Sequence, residues 1–169
     1  MPLQLSGTSG VLDNSGAFIA GTAVASTSGT SIDFTSIPSW VKRVTIMFSG
    51  VSTNGTSLVQ IQVGAGSIQT TSYNSVATGF STSGGTATST TAFVTSDTVR
   101  ASDAKYGTAV LTLLGSNVYT LQGATMVASG INSWFAGAVS LSGVLDRVRI
   151  TTVNGTDTFD AGTINILYE

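Results

Sequence analysis

Histidine and cysteine are both missing from the 169 residues, and only 8% of residues carry charge. Without histidine or cysteine, no Ser-His or Cys-His nucleophilic pair can be built. Without cysteine there are no disulfides, no thiolate-bound zinc and no thiol catalysis, and the redox compartment stays open. Proline occurs only at Pro2 and Pro38, so there is no polyproline spacer. The scarcity of Lys and Glu argues against long exposed helices, which rely on those residues. Net charge is −2, and the only close basic pairs are Lys42 with Arg43 and Arg147 with Arg149. That is too little for a basic stripe, so no nucleic-acid partner is expected. No apolar run approaches the ~20 residues of a membrane span, and no basic n-region opens the chain, whose first basic residue is Lys42. The expectation is a soluble chain made without a secretion signal and not inserted in a membrane.

What remains is small, hydroxylated or β-branched. Ser and Thr make up about 30% of residues, well above ordinary globular usage. Thr and Val favour a pleated surface, and Ser and Gly favour turns. A hydrophobic fraction of 41% fills one core, and the length fits one domain with a terminal arm. Weak charge and positive mean hydropathy suit a protein packed against neighbours better than a free monomer.

Along the chain, residues 1–31 lack periodicity and carry the strings SGTSG and TSGTS. Composition alone favours a floppy tail. The alternative taken here is an extended arm clamped by its own sheet or by a partner chain, with Leu3, Leu5 and Phe18 as anchors. From Ile32 onward, strand signals recur. Val44, Ile46 and Phe48 alternate with polar or mixed neighbours, and Val59, Ile61 and Val63 alternate with Gln60 and Gln62. Asn54-Gly55 between these runs predicts a hairpin connection. The stretch from Gly64 to Asp103 is the least regular, with Phe80, Phe93 and Val94 as expected tethers. Later runs include Ala109 to Leu114, Val118 to Leu121, Ala124 to Ser129 and Trp134 to Leu141. A final pair has Val148 and Ile150 alternating with Arg147 and Arg149, then Ile164, Ile166 and Tyr168, with Asn154-Gly155 between. The fold predicted is all-β: an antiparallel β-sandwich, jelly-roll-like, over residues 32–169, with the extended N-terminal arm at 1–31.

Candidate chemistry is thin. A Ser–Lys pair through Lys42 or Lys105 is formally possible, but either lysine is better explained as a solvated surface residue. Asp157 and Asp160 share a loop and are the best carboxylate pair for glycoside hydrolysis. The bland explanation is turn-forming Asp capping its own backbone. The same loop offers oxygen ligands but misses the EF-hand spacing, so no metal is expected. Asn54-Gly55-Thr56 and Asn154-Gly155-Thr156 match a glycosylation pattern and are better taken as turns. Arg147 and Arg149 share a strand face, available for pairing with Asp on an adjacent strand or subunit, or simply for strand-edge solubility. Trp40 and Trp134-Phe135 offer a sugar platform, with core packing the preferred expectation. No catalytic residue, cofactor or metal ligand is assigned.

Three stretches carry a resemblance. They are Ile32-Asp33-Phe34-Thr35-Ser36-Ile37-Pro38-Ser39-Trp40-Val41-Lys42-Arg43-Val44-Thr45-Ile46, the run Leu141-Ser142-Gly143-Val144-Leu145-Asp146-Arg147-Val148-Arg149-Ile150-Thr151-Thr152, and the ending from Phe159 to Glu169. Together they resemble small virion-associated proteins of tailed bacteriophages and prophages, and they bracket residues 32–169. The opening Leu3-Gln4-Leu5-Ser6-Gly7-Thr8 is similar to the N-termini of phage fibre-like proteins. The resemblance implies a non-enzymatic structural protein of the virion, assembled from chains made in the host bacterial cytoplasm. Such proteins are often trimeric with β-sandwich heads. It transfers no site residues. The role it suggests first is a short tail fibre or tail appendage, anchored by the arm and contributing to host attachment. Its partners would be itself as a homotrimer, other tail or capsid proteins, and a host-surface glycan or receptor. The alternative is a capsid decoration (cement) protein, and a third reading is a carbohydrate-binding module.

Overall fold

The computed structural model describes residues 5–6, 10–11, 18–80, 84–101 and 103–169. Among these residues there is no helix. Sixteen strands are present, and the principal layers are two antiparallel sheets packed face to face as a β-sandwich.

β1 (Leu5–Ser6) and β2 (Gly10–Val11) pair with each other. β3 (Ile19–Ala20) and β4 (Val24–Ala25) lie along the last strand, β16 (Phe159–Tyr168). Between and beyond them, Gly21 N–H donates to Ile166 O at 2.7 Å and Ser26 N–H to Gly162 O at 2.9 Å. The sheet therefore holds residues 19–26 as an interrupted edge strand. Of the expected anchors, Leu3 and the side chain of Leu5 lie outside the described residues, and Phe18 is 68% exposed.

β5 (Ser31–Thr35), β7 (Val59–Ala65), β11 (Phe93–Val94) and β15 (Arg147–Thr152) form the smaller sheet in the order β11-β7-β15-β5, with β8 (Ser67–Ile68) folded back on β7. The larger sheet adds β6 (Arg43–Thr53), β9 (Tyr73–Phe80), β10 (Thr86–Ser89), β12 (Lys105–Gly115), β13 (Val118–Val127) and β14 (Asn132–Ser140). Its order is β10-β9-β14-β13-β12-β6-β16-β3.

Register explains the core. In the smaller sheet, Ile32, Ile150, Ile61 and Phe93 stand in one row, and Phe34, Val148 and Val63 in another, all buried. In the larger sheet one inward row runs Ile166, Ile46, Ala109, Gly123, Phe135, Ala77. Phe135 sits between two small members, Gly123 and Ala77, and its ring lies over Gly123. A Cβ on Gly123 would stand 2.5 Å from Phe135 Cζ and 2.5 Å from Thr108 O. Each fully buried Ile, Leu or Phe stabilises the fold by roughly 1.5–3 kcal/mol relative to exposure. The two phenols inside are used as bolts. Tyr73 Oη accepts from Val63 N–H at 2.9 Å, and Tyr119 Oη accepts from Leu145 N–H at 3.1 Å.

Two sequence expectations need correction. The Asn54-Gly55 segment does not close a hairpin: β6 belongs to the larger sheet and β7 to the smaller. Asn154-Gly155 is the loop between the last two strands, as expected, and it carries the chain from β15 in one sheet to β16 in the other. Both are corners, and they lie side by side. Asn54 N–H donates to Thr158 O at 3.0 Å, Thr158 N–H to Asn54 Oδ1 at 2.9 Å, and Ser57 N–H to Asp157 Oδ2 at 2.9 Å. The similar strings at the two corners thus form one end of the sandwich. The second correction concerns Gly64 to Asp103, which contains β9 at the heart of a sheet flank as well as β8, β10 and β11. Phe93 and Val94 are buried tethers as expected, but Phe80 points outward and is 52% exposed.

Candidate binding face

Consecutive residues on a strand point to opposite faces. Trp134 and Phe135 are consecutive on β14, so they cannot both enter the core. Phe135 does; Trp134 is 64% exposed on the outer face of the larger sheet. This overturns the expectation that Trp134 is a core residue, while Trp40 does pack, half-buried, against the core. Trp134 and Phe80 share the outer side of the adjacent strands β14 and β9, and their ring centroids lie 4.9 Å apart at a 58° tilt.

The pair stands over a shallow groove of about 610 Å³, whose walls include Val76 and Val110 and whose floor is made by the small residues Gly123, Ala124 and Ala136. Two further hollows continue it along β13. One, of about 300 Å³, reaches Met126, Tyr106 and Asn132; the other, of about 370 Å³, reaches Thr112 and Thr120. The first shares Trp134 and Phe80 with the main groove, and the second shares Gln122 and Val110. The result is one trough, about 20 Å long from Met126 to Thr120 at the usual rise per strand residue. None of the outward residues on β9, β14, β13 and β12 is charged. Amides and hydroxyls from Asn132, Thr108, Gln122 and Thr120 punctuate the apolar lining.

The second notable site lies inside. Lys105 opens β12 and is 1% exposed, which corrects its reading as a solvated surface lysine. Its Nζ donates to the buried Ser96 Oγ at 3.3 Å. Burial pulls its pKa down to about 8, partly countered by the carboxylates of Asp103 and Asp97. Asp97 Oδ2 accepts from Gly85 N–H at 2.8 Å, while its buried Oδ1 has no partner. The Ser–Lys contact that the sequence allowed therefore exists, through Lys105 rather than Lys42. Because Ser96 and Lys105 are both sealed from solvent, the contact offers no surface to a substrate.

The other sequence candidates are structural. Asp157 holds the two corners together, accepting from Ser57 N–H and, at 2.6 Å, from Asn154 Nδ2. Those hydrogen bonds hold its carboxyl below the usual range, Asn154 contributing most. Asp160 instead accepts from Ser52 Oγ on β6. The two carboxylates are committed to different partners. Among the described residues, no group of three or more acidic side chains is placed to hold a metal ion. Arg149 forms a two-pronged pair with Asp33 on the neighbouring strand, at 2.7 and 2.9 Å, and Arg147 pairs with Asp146 at 2.7 Å. Asn54 and Asn154 both spend their side-chain oxygens on backbone N–H groups of the corners, as turn residues do.

No protein-family model, curated protein or solved structure matches the chain.

Proposed function

We propose that this chain is a non-enzymatic structural protein of a tailed-bacteriophage virion. In this reading it serves in a short tail fibre or tail appendage and contributes to attachment through the outer face of its larger sheet. The observation that carries the attachment role is the exposed Phe80–Trp134 pair over a charge-free trough on a rigid sheet. Large solvent-facing apolar patches on a stable frame mark surfaces made to meet something. The virion setting is supported by the similarity of residues 32–46, 141–152 and 159–169 to virion-associated proteins. The β-sandwich and the low charge suit that setting, since neighbouring copies, as in a homotrimer, would cover weakly charged surface.

The test is the copy number of the chain in purified phage particles, measured by quantitative mass spectrometry against the major capsid protein. A few tens of copies per particle is the expected result. A ratio near one per capsid subunit would overturn the tail assignment in favour of a decoration protein. Absence from particles would remove the virion reading altogether.

A further inference from the structure

We infer that the trough along β13 binds an uncharged oligosaccharide, with Trp134 and Phe80 as its stacking platform. The inference rests on the reading of this face as an attachment surface and names the chemistry that the face selects.

Charge decides the class first. An anionic glycan, a phosphorylated headgroup or a charged peptide would need a counter-charge; the outward side of β9, β14, β13 and β12 supplies none, and Arg43 on β6, opposite Thr112 at the trough's end, is already paired with Glu169. The lining chemistry comes next. A pyranose ring has one apolar C–H face and a rim of hydroxyls. Aromatic rings, with their electron-rich faces, attract the C–H face, and amides and hydroxyls serve the rim. The trough provides both within one groove: the Phe80–Trp134 pair on one side, and Gln122, Thr108, Asn132 and Thr120 along its length. A bare hydrocarbon chain would leave those polar groups unpaired on burial, which costs free energy. The elongated form suits a chain of several sugar rings rather than a monosaccharide.

Shape argues against a second copy as a two-fold partner on this face. A two-fold contact requires the same surface to complement itself, and a trough set against a trough leaves a void along the seam. The floor is low because positions 123, 124 and 136 are Gly, Ala and Ala, while Val76, Val110 and the aromatic pair rise beside it.

The experiment uses the full chain on an immobilised panel of neutral oligosaccharides (gluco-, galacto-, manno- and N-acetylhexosamine series) beside uronate- and sialate-containing counterparts. Any hit is then titrated by calorimetry with the wild type, Trp134→Ala and Phe80→Ala. Retention on at least one neutral glycan is expected. Trp134→Ala should weaken it roughly tenfold, about what the loss of one stacking platform costs. Its melting temperature should stay unchanged, because the side chain faces solvent. Retention confined to the acidic glycans, retention by none, or equal affinity of wild type and Trp134→Ala would each overturn the inference. So would a wild-type dimer or trimer that Trp134→Ala converts to monomer, since another copy of the chain would then own the face. None of these results touches the copy number in particles, so failure here and failure of the virion reading remain distinguishable.

Discussion

Stability should rise with pH between about 8 and 10, and Lys105 should be the reason. Burial holds its amine near pKa 8 in the folded protein against an ordinary value of 10.5. In the unfolded chain the amine takes its proton at about 10.5; in the folded chain it resists until about pH 8. Between those values the unfolded state binds more protons, so each step down in pH favours unfolding. Below about pH 8 both states are protonated and the penalty is fully present. The full gap corresponds to about 3 kcal/mol, of which about 2 kcal/mol falls between pH 8 and 10. Above pH 10 an opposing effect enters. Burial pushes Tyr73 up to about 12, so its contribution is present below pH 10 and is lost as pH climbs toward 12. The useful window therefore closes at pH 10. Urea unfolding followed by tryptophan fluorescence at half-unit intervals from pH 7 to 10 measures the effect. Lys105→Met keeps the length of the side chain and removes the titrating charge, so its profile should be flat across the window. The acidic groups facing the amine, Asp97 and Asp103, remain in both proteins. A flat wild-type profile, or the same slope in Lys105→Met, would refute the reasoning.

Other substitutions probe the frame. Gly123→Ala should cost about 1–3 kcal/mol and lower the melting temperature, since the new methyl meets Phe135 and the Thr108 carbonyl at 2.5 Å. At the β12–β13 hairpin, Ser116 and Asn117 both have positive φ, at 49° and 60°. Replacing the pair by Asn-Gly should raise stability by about 1 kcal/mol in thermal unfolding. A double-mutant cycle on Asp33 and Arg149, whose side chains are each 37% exposed, should give a coupling below about 1 kcal/mol that vanishes in molar salt.

Alternation was the most legible signal. Val44, Ile46 and Phe48, like Val148 and Ile150, face inward as their period of two requires. Connectivity was not legible from the same residues. Neighbouring strands in sequence usually pair, so an Asn-Gly between two strand signals predicts a hairpin. Here β7 pairs not with β6 but, on one side, with β15, some ninety residues later, and no local residue encodes that choice. A trace of it lay in Gln60 and Gln62. Both are buried, donating to Thr152 O and Thr91 O at 3.3 and 3.4 Å, because β7 is central in its sheet and covered on both faces. A polar alternation normally marks a solvated face, and only the tertiary cover reverses it. Lys105 was hidden for the same reason.

The aromatic pair was partly legible. Adjacency of Trp134 and Phe135 on a strand is enough to send one of them outward, and the alternation of β14 decides which. The placement of Phe80 beside Trp134 was not, because it depends on β9 pairing with β14, again a long-range choice. That pairing is also what makes a surface out of scattered residues. β9 enters the sheet from the region whose Ser, Thr and Gly content looked least structured, and it brings Val76 and Phe80 against the flank of a meander made by β12, β13 and β14. On its own, the outer face of that meander would be an ordinary neutral sheet surface with one exposed tryptophan. With β9 added, it gains a second wall and a partner ring. The inward side of the same strands is packed, with Phe135 over Gly123, and that packing supports the outward side from beneath. A rigid, uncharged, aromatic-edged trough orders little on binding, and such preorganisation lets a weakly interacting neutral ligand bind at all.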